Sequence, residues 1–253
     1  MIASLPMYDR PETAAALDRL WANFRDAWPG APATLTRSDD PWRHWRHPEL
    51  LLSQTCSLPY RARLHGTVQL VGAPAHDLPC PEGHYFSTIV ARADDSRSTL
   101  SDFADACPAI NDPLSQSGWA ALDAMAKDEG IRFSTPVMTG SHAASAHAVA
   151  NRVADLAAID AVSWNHIKKF NGLPIDLKTI VNTPPTPALP YIAGKAEDVR
   201  MVFDALRNAI QDLDDADKDL LCLNDLTKVH AKDYLELPMP AALPRTSAGK
   251  RSS

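Results

Sequence analysis

Nine consecutive residues, Asn111-Asp112-Pro113-Leu114-Ser115-Gln116-Ser117-Gly118-Trp119, hold the densest chemistry in the chain. A short apolar run at 106–110 precedes them, and a helical pattern at 120–129 follows until Gly130 stops it. That order describes a strand delivering hydroxyls and a glycine to the first turn of a helix. Backbone N–H groups in such a turn lack partners and carry partial positive charge, so they attract anions. Ser115 and Ser117 add hydroxyl donors, and Gly118 permits close approach to the backbone. The same residues also read as an ordinary helix start capped by Ser115 or Ser117.

Other residue groups offer less. In Trp42-Arg43-His44-Trp45-Arg46-His47 the two histidines could share a helical face, but no third metal ligand lies nearby. A short helix with packed tryptophans and solvated basic groups is the competing reading. Cys56, Cys80, Cys107 and Cys222 fit no Cys-X-X-Cys pattern. Cys56 and Cys80 could pair in an oxidising compartment or stay as free buried thiols. For acid, base or nucleophile the candidates are His142, Asp160, Cys56 and His166, none in a recognisable catalytic pairing.

The elements that must position these groups fill 253 residues, enough for one large domain or two lobes. A net charge of -6 argues against a nucleic-acid binder that relies on broad electrostatics, so an anion site must be local. No run approaches the roughly 18 apolar residues of a membrane span. No signal peptide is visible at the N-terminus, which keeps a cytoplasmic location open. Strand patterns fall at 2–5, 33–36, 50–55, 68–71, 85–91, 133–138, 155–160 and 177–182, with helices between them, the first running from Pro11 to about Trp28. This alternation predicts parallel sheets covered by helices, with ligands at the carboxyl ends of strands. Met7, Tyr8, Thr55, Ser57 and Tyr60 then share one rim. The C-terminal helices are expected to return to the first lobe without a sheet of their own. Crossings near 85–92 and 181–190 place lobe one at 1–86 plus 187–245 and lobe two at 87–186, with 246–253 a disordered tail.

In this order and spacing, Asp112-Pro113-Leu114-Ser115-Gln116-Ser117-Gly118, Gly140-Ser141-His142 and Ala154-Asp155-Leu156-Ala157-Ala158-Ile159-Asp160 resemble the phosphate, phosphite and phosphonate substrate-binding proteins of ABC transporters. Tyr85 with its apolar strand and Arg92-Ala93-Asp94-Asp95 is similar to that family's first hinge crossing. Ser53-Gln54-Thr55-Cys56 with Pro59-Tyr60 looks like a first-lobe loop of one branch. The resemblance covers roughly residues 51–193. It implies an α/β fold of the type II periplasmic-binding-protein kind, with two lobes, two hinge crossings and a ligand in the cleft.

The resemblance further implies that Ser115, Gln116 and Ser117, with the N–H groups of Ser117 and Gly118, hold phosphonate-like oxygens. His142 would reach the same group and Tyr85 would line the cleft. Asp160 matches an acidic residue that faces the ammonium in aminoalkylphosphonate binders. The family's further acid at the second crossing is absent from Asn182-Thr183-Pro184-Pro185-Thr186, which counts against an aminoalkyl ligand. The expectation is a monomeric, periplasmic solute-binding protein without a cofactor, presenting a small oxyanion to an ABC permease. Ser57, Tyr60, Tyr85, Asp160 and Thr183 would also contact the ligand, and all of these but Ser57 would decide what the anion may carry. A cytosolic enzyme or sensor on the same fold, like some menaquinone- or thiamine-pathway proteins, is the alternative.

Overall fold

The computed structural model describes residues 1–38, 40–170 and 172–243, so the tail expected at 246–253 lies outside the described residues. In chain order the strands are β1 (Ile2–Ser4), β2 (Leu50–Gln54), β3 (Gln69–His76), β4 (His84–Tyr85), β5 (Ser87–Arg92) and β6 (Pro108–Ile110), then β7 (Val137–Met138), β8 (Leu156–Asp160), β9 (Leu177–Asn182), β10 (Thr186–Pro187), β11 (Tyr191–Ala193) and β12 (Leu223–Thr227). The helices are α1 (Ala14–Ala27), α2 (Pro41–Trp45), α3 (Ser57–Pro59), α4 (Ala121–Asp128), α5 (His142–Ala150), α6 (Ala161–Phe170), α7 (Val199–Gln211), α8 (Asp215–Leu221) and α9 (Ala231–Leu235). The chain forms two units: Met1–Phe86, Ala161–His166 and Pro184–Leu237 make the first, and Ser87–Asp160, Ile167–Thr183 and the segment from Pro238 make the second.

In the first unit, α1 buries Ala16, Leu17, Leu20, Trp21 and Phe24, the positions that repeat at helical spacing. Thr13 gives this helix no side-chain cap, because its hydroxyl donates to the Tyr8 carbonyl at 2.5 Å instead. A cap is worth about 1 kcal/mol, whereas each large apolar side chain fully buried contributes about 1.5–3 kcal/mol, so packing decides this helix. Its apolar face shares one core with Val202, Phe203, Leu206 and Ile210 of α7. The sheet beneath has the order β1-β2-β11-β3-β12. β1 and β2 are parallel, whereas β11 runs antiparallel to both β2 and β3, and β12 antiparallel to β3. A separate ribbon pairs Tyr85 of β4 with Thr186 of β10.

The second unit has a sheet of order β7-β6-β8-β5-β9. β6 is parallel to β7 and β8, and β5 is antiparallel to β8 and β9. Ile89, Phe103, Leu122 and Leu156 are central to its core.

Both sheets are therefore mixed, which corrects the parallel arrangement expected from strand–helix alternation. The alternation does not reveal that β11 returns late in the chain and inserts between β2 and β3 in the opposite direction. β12 is a strand the sequence reading lacks: Leu223 and Leu226 are buried while Asp225 pairs with Arg207, a pattern too short to stand out. It joins the first sheet at the edge beside β3. The segment 33–36 is not a strand and touches β1 by one backbone bond, Thr36 N–H to Ala3 O at 2.7 Å. Of 133–138 only Val137–Met138 pairs, with β6. The segment from Pro238, expected with the first lobe, groups with the second unit. None of the four cysteines forms a disulfide, and all are half-buried. Among the described residues no helix is long and apolar enough to cross a membrane.

Candidate functional site

In the second unit β6 ends at Ile110 and releases the chain into the hydroxyl-rich turn. Asp112 Oδ1 accepts the Leu114 N–H at 2.6 Å, and Asp112 O accepts the Ser115 N–H at 3.0 Å. Ser115 is the helix cap: its Oγ accepts the Gly118 N–H at 2.9 Å. The first turn, Gln116–Ala120, is wider than an α-turn and closes with bonds such as Ala120 N–H to Ser115 O, before the regular turns of α4 begin. Such π turns occur mostly as single turns, and often at functional sites. Ser115, Gln116 and Ser117 are all buried.

The turn Thr139–His142 is fastened beside this stretch. Thr139 N–H donates to Ile110 O at 3.0 Å and Gly140 N–H to Asn111 O at 3.1 Å. Ser141 caps α5 by accepting the Ala144 N–H, which makes His142 the first helical residue. Its Nε2 lies 2.9 Å from Ser117 Oγ and 3.3 Å from Asp160 Oδ2. Asp160 ends β8 opposite Ser87, and Thr183 Oγ1 accepts the Ser87 N–H at 3.0 Å. The structure thus brings Ser117, His142 and Asp160 together, with Thr183 fastened to the strand beside Asp160.

Burial disfavours the imidazolium and lowers the His142 pKa, opposed by the Asp160 carboxylate and by a backbone bond with Ala158. A neutral imidazole carries one ring hydrogen, and the tautomer decides which way the Nε2 contact with Ser117 runs. With the hydrogen on Nε2, Ser117 Oγ accepts and its own hydroxyl hydrogen is available to another acceptor; with the hydrogen on Nδ1, Nε2 accepts from Ser117. This is not a nucleophile relay, in which the hydroxyl and the carboxylate face opposite nitrogens of the ring. Both meet Nε2.

Gly118 has a different role from the one its type suggested. Its N–H is already bonded to Ser115, and a Cβ at this position would lie 1.9 Å from Asn111 Oδ1. The missing side chain makes room for Asn111, whose buried Oδ1 has no hydrogen-bond partner among the described residues. The packing of Asn111 over Gly118 is the contact that sequence reasoning missed, although Asn111 opened the stretch in question. Thr139 was missed too; its Oγ1 bonds both Ile110 O and Ser145 Oγ.

The remaining expected residues belong to the first unit. Ser57 begins α3, and its Oγ is buried with no hydrogen-bond partner among the described residues. α3 runs into a second π turn, Tyr60–Leu64, closed by His65 N–H to Tyr60 O at 2.7 Å. The Tyr60 ring packs edge-on to Tyr234 at 5.4 Å, in a cluster with Trp45, Leu64 and Ile192. Tyr85 packs with Tyr8, Ala73, Val162 and Leu189. His166 meets the Leu220 carbonyl through Nε2 at 2.8 Å and the Tyr8 ring edge-on. His44 meets Ser38 Oγ, and His47 Nδ1 accepts the Glu49 N–H, so the two histidines are engaged separately. Among the described residues no group of three or more potential ligands could hold a metal ion.

A family model described as an ABC transporter phosphonate periplasmic substrate-binding protein matches residues 59–234. No curated protein sequence matches the chain. Among solved structures, PhnD1 from Prochlorococcus marinus in complex with methylphosphonate is similar with a TM-score of 0.69 at 17% identity, over 92% of this chain and 94% of that one. A binding-protein component of an ABC phosphonate transporter from Pseudomonas aeruginosa has a TM-score of 0.68 at 15% identity, over 92% of this chain and 82% of that one. XAC2383 from Xanthomonas citri bound to chloride has a TM-score of 0.65 at 13% identity, over 94% of each chain.

Proposed function

This chain belongs to the phosphonate periplasmic substrate-binding protein family of ABC transporters, and from that premise we propose that Ser117, His142 and their neighbours hold the oxyanion it captures. The mixed α/β fold is that of type II periplasmic binding proteins, and the family's role is to bind a solute for transport. The observation that carries the proposal is the buried meeting of Ser117 with His142 and Asp160 where two helices start. In the tautomer that carries the hydrogen on Nε2, the serine hydroxyl is a buried donor at the start of a helix. An anion of the phosphate, phosphite or phosphonate type matches a neutral donor at a helix start.

The rest of the reading follows from the same residues. Asp160 is engaged with His142, so a cationic substituent has one shared carboxylate rather than a free pair. A ligand without an ammonium group is therefore favoured, methylphosphonate over aminoethylphosphonate. We assign selection of the substituent to Tyr60, Tyr85, Ser57 and Thr183. The protein works as a periplasmic monomer that hands its ligand to an ABC permease, and performs no chemistry on it. The absence of a relay geometry at Ser117, His142 and Asp160 supports binding over catalysis.

Calorimetry with phosphate, phosphite, methylphosphonate and aminoethylphosphonate tests this. At least one should bind, and Ser117→Ala should weaken it about 10- to 100-fold, the loss of one charge-assisted bond of roughly 1.5–3 kcal/mol. Binding of none of the four, or full affinity in Ser117→Ala, overturns the assignment.

A further inference from the structure

The basic run at Trp42–His47 has no part in the site above, yet the fold makes something of it. Asp40 caps α2 through the Trp42 N–H, and Pro41 occupies the first turn. This sends Trp45 inward, where its Nε1 donates to Gln54 O at 3.0 Å, and leaves Arg46 exposed. The Trp42 ring gathers two arginines from separate segments, Arg46 at 4.8 Å and Arg63 at 5.4 Å from its centroid. Opposite them runs Gly194-Lys195-Ala196. Gly194 is required there, because a Cβ would lie 2.4 Å from Leu50 O.

The two arginines and this segment line a hollow of about 480 Å³ whose basic residues are Arg46, His47, Arg63 and Lys195, with no carboxylate in its wall. Seven other arginines of the chain, Arg10, Arg19, Arg37, Arg92, Arg97, Arg152 and Arg207, each face an aspartate or glutamate. Arg46, Arg63 and Lys195 face none among the described residues. His47 Nδ1 accepts the Glu49 N–H at 3.1 Å, so a neutral ring carries its hydrogen on Nε2 as a further donor. A chain with net charge -6 thus keeps three like charges together without an acid between them.

We propose that this hollow is a second anion site, for a small molecule carrying several phosphate groups. Guanidinium forks match phosphate oxygens two at a time, and a concave wall favours a compact ligand over a flat surface. The hollow lies at Leu50, where β2 begins, whereas Ser57 and Tyr60 follow the strand's other end. It is independent of the oxyanion assignment in the second unit.

The test is calorimetry on the full chain with inorganic tripolyphosphate, pyrophosphate and orthophosphate at fixed ionic strength, in the presence of saturating methylphosphonate. Tripolyphosphate should bind at one to one, tighter than pyrophosphate and much tighter than orthophosphate. Arg46→Glu, Arg63→Glu and Lys195→Glu should each weaken it at least tenfold, with thermal melts and methylphosphonate affinity unchanged. The same comparison of wild type with Arg46→Glu decides the matter if methylphosphonate itself does not bind. Absence of tripolyphosphate binding, or equal binding in all three variants, overturns the proposal. So does capture by phosphatidylglycerol vesicles without tripolyphosphate binding, which would make this a membrane-facing patch.

Discussion

Replacing Gly118 by alanine puts a methyl group where Asn111 already stands. The new Cβ would sit 1.9 Å from Asn111 Oδ1 and 3.1 Å from Ser115 Oγ, so Asn111 must move by more than 1 Å while Ser115 gives slightly. Moving Asn111 Oδ1 breaks no hydrogen bond, since that buried oxygen has none among the described residues. The cost is therefore steric, about 1–3 kcal/mol for overpacking, partly offset by the roughly 0.5–1 kcal/mol that alanine gains over glycine in a helical turn. Asn111→Ala should be close to neutral, because it removes an unsatisfied acceptor. In the double variant the clash is gone and only the helix-forming gain of alanine remains. Urea unfolding of wild type, both single variants and the double variant measures a coupling of about 1–3 kcal/mol between residues in contact. If Gly118→Ala is as stable as wild type, or if Asn111→Ala fails to rescue it, the packing account of this glycine is wrong.

Three further outcomes follow from single contacts. Asp95 is held at a pKa of about 2 by its bonds to Arg97, against an ordinary value of 3.8. Because the folded value is depressed, its stabilisation is complete above about pH 4 and disappears as pH falls toward 2; Asp95→Asn should cost about 1–2 kcal/mol at pH 7 and converge with wild type in acid unfolding curves. Thr183→Val leaves the Ser87 N–H without the hydroxyl it meets at 3.0 Å, and urea titration should register a loss of about 1–2 kcal/mol. Tyr234→Phe removes the buried hydroxyl that donates to Ala188 O at 2.7 Å, with a similar loss expected in the first unit's transition.

The periodic parts of the chain were readable in advance. Leu17, Leu20, Trp21 and Phe24 announce α1, and all are buried. The order of Ser115–Gly118, Gly140–His142 and Asp160 named the residues that converge on His142 Nε2. Sheet direction was not readable, because pairing between β11 and its neighbours joins residues more than a hundred positions apart. Local pattern carries no record of such contacts. β12 escaped for lack of alternation, and the role of Asn111 escaped because a polar residue before Asp-Pro looks like turn chemistry alone. The glycine was noticed and misread: its value lies in what packs over it.

The two π turns, at Tyr60–Leu64 and Gln116–Ala120, have a consequence for how this chain tolerates insertion and deletion. Each is a helix carrying one surplus residue. Deleting one residue between Gln116 and Ala120 would let the turn relax to α geometry while Leu122 and Ala126 stay seated in their core. The helical phase upstream would then rotate by about 100°, swinging Ser117 away from His142. A homologue shorter by that one residue would keep the architecture and forfeit the meeting of Ser117 with His142. Counting residues across this turn is thus a quick way to tell, from sequence alone, which relatives retain the contact between Ser117 and His142 and which retain only its scaffold.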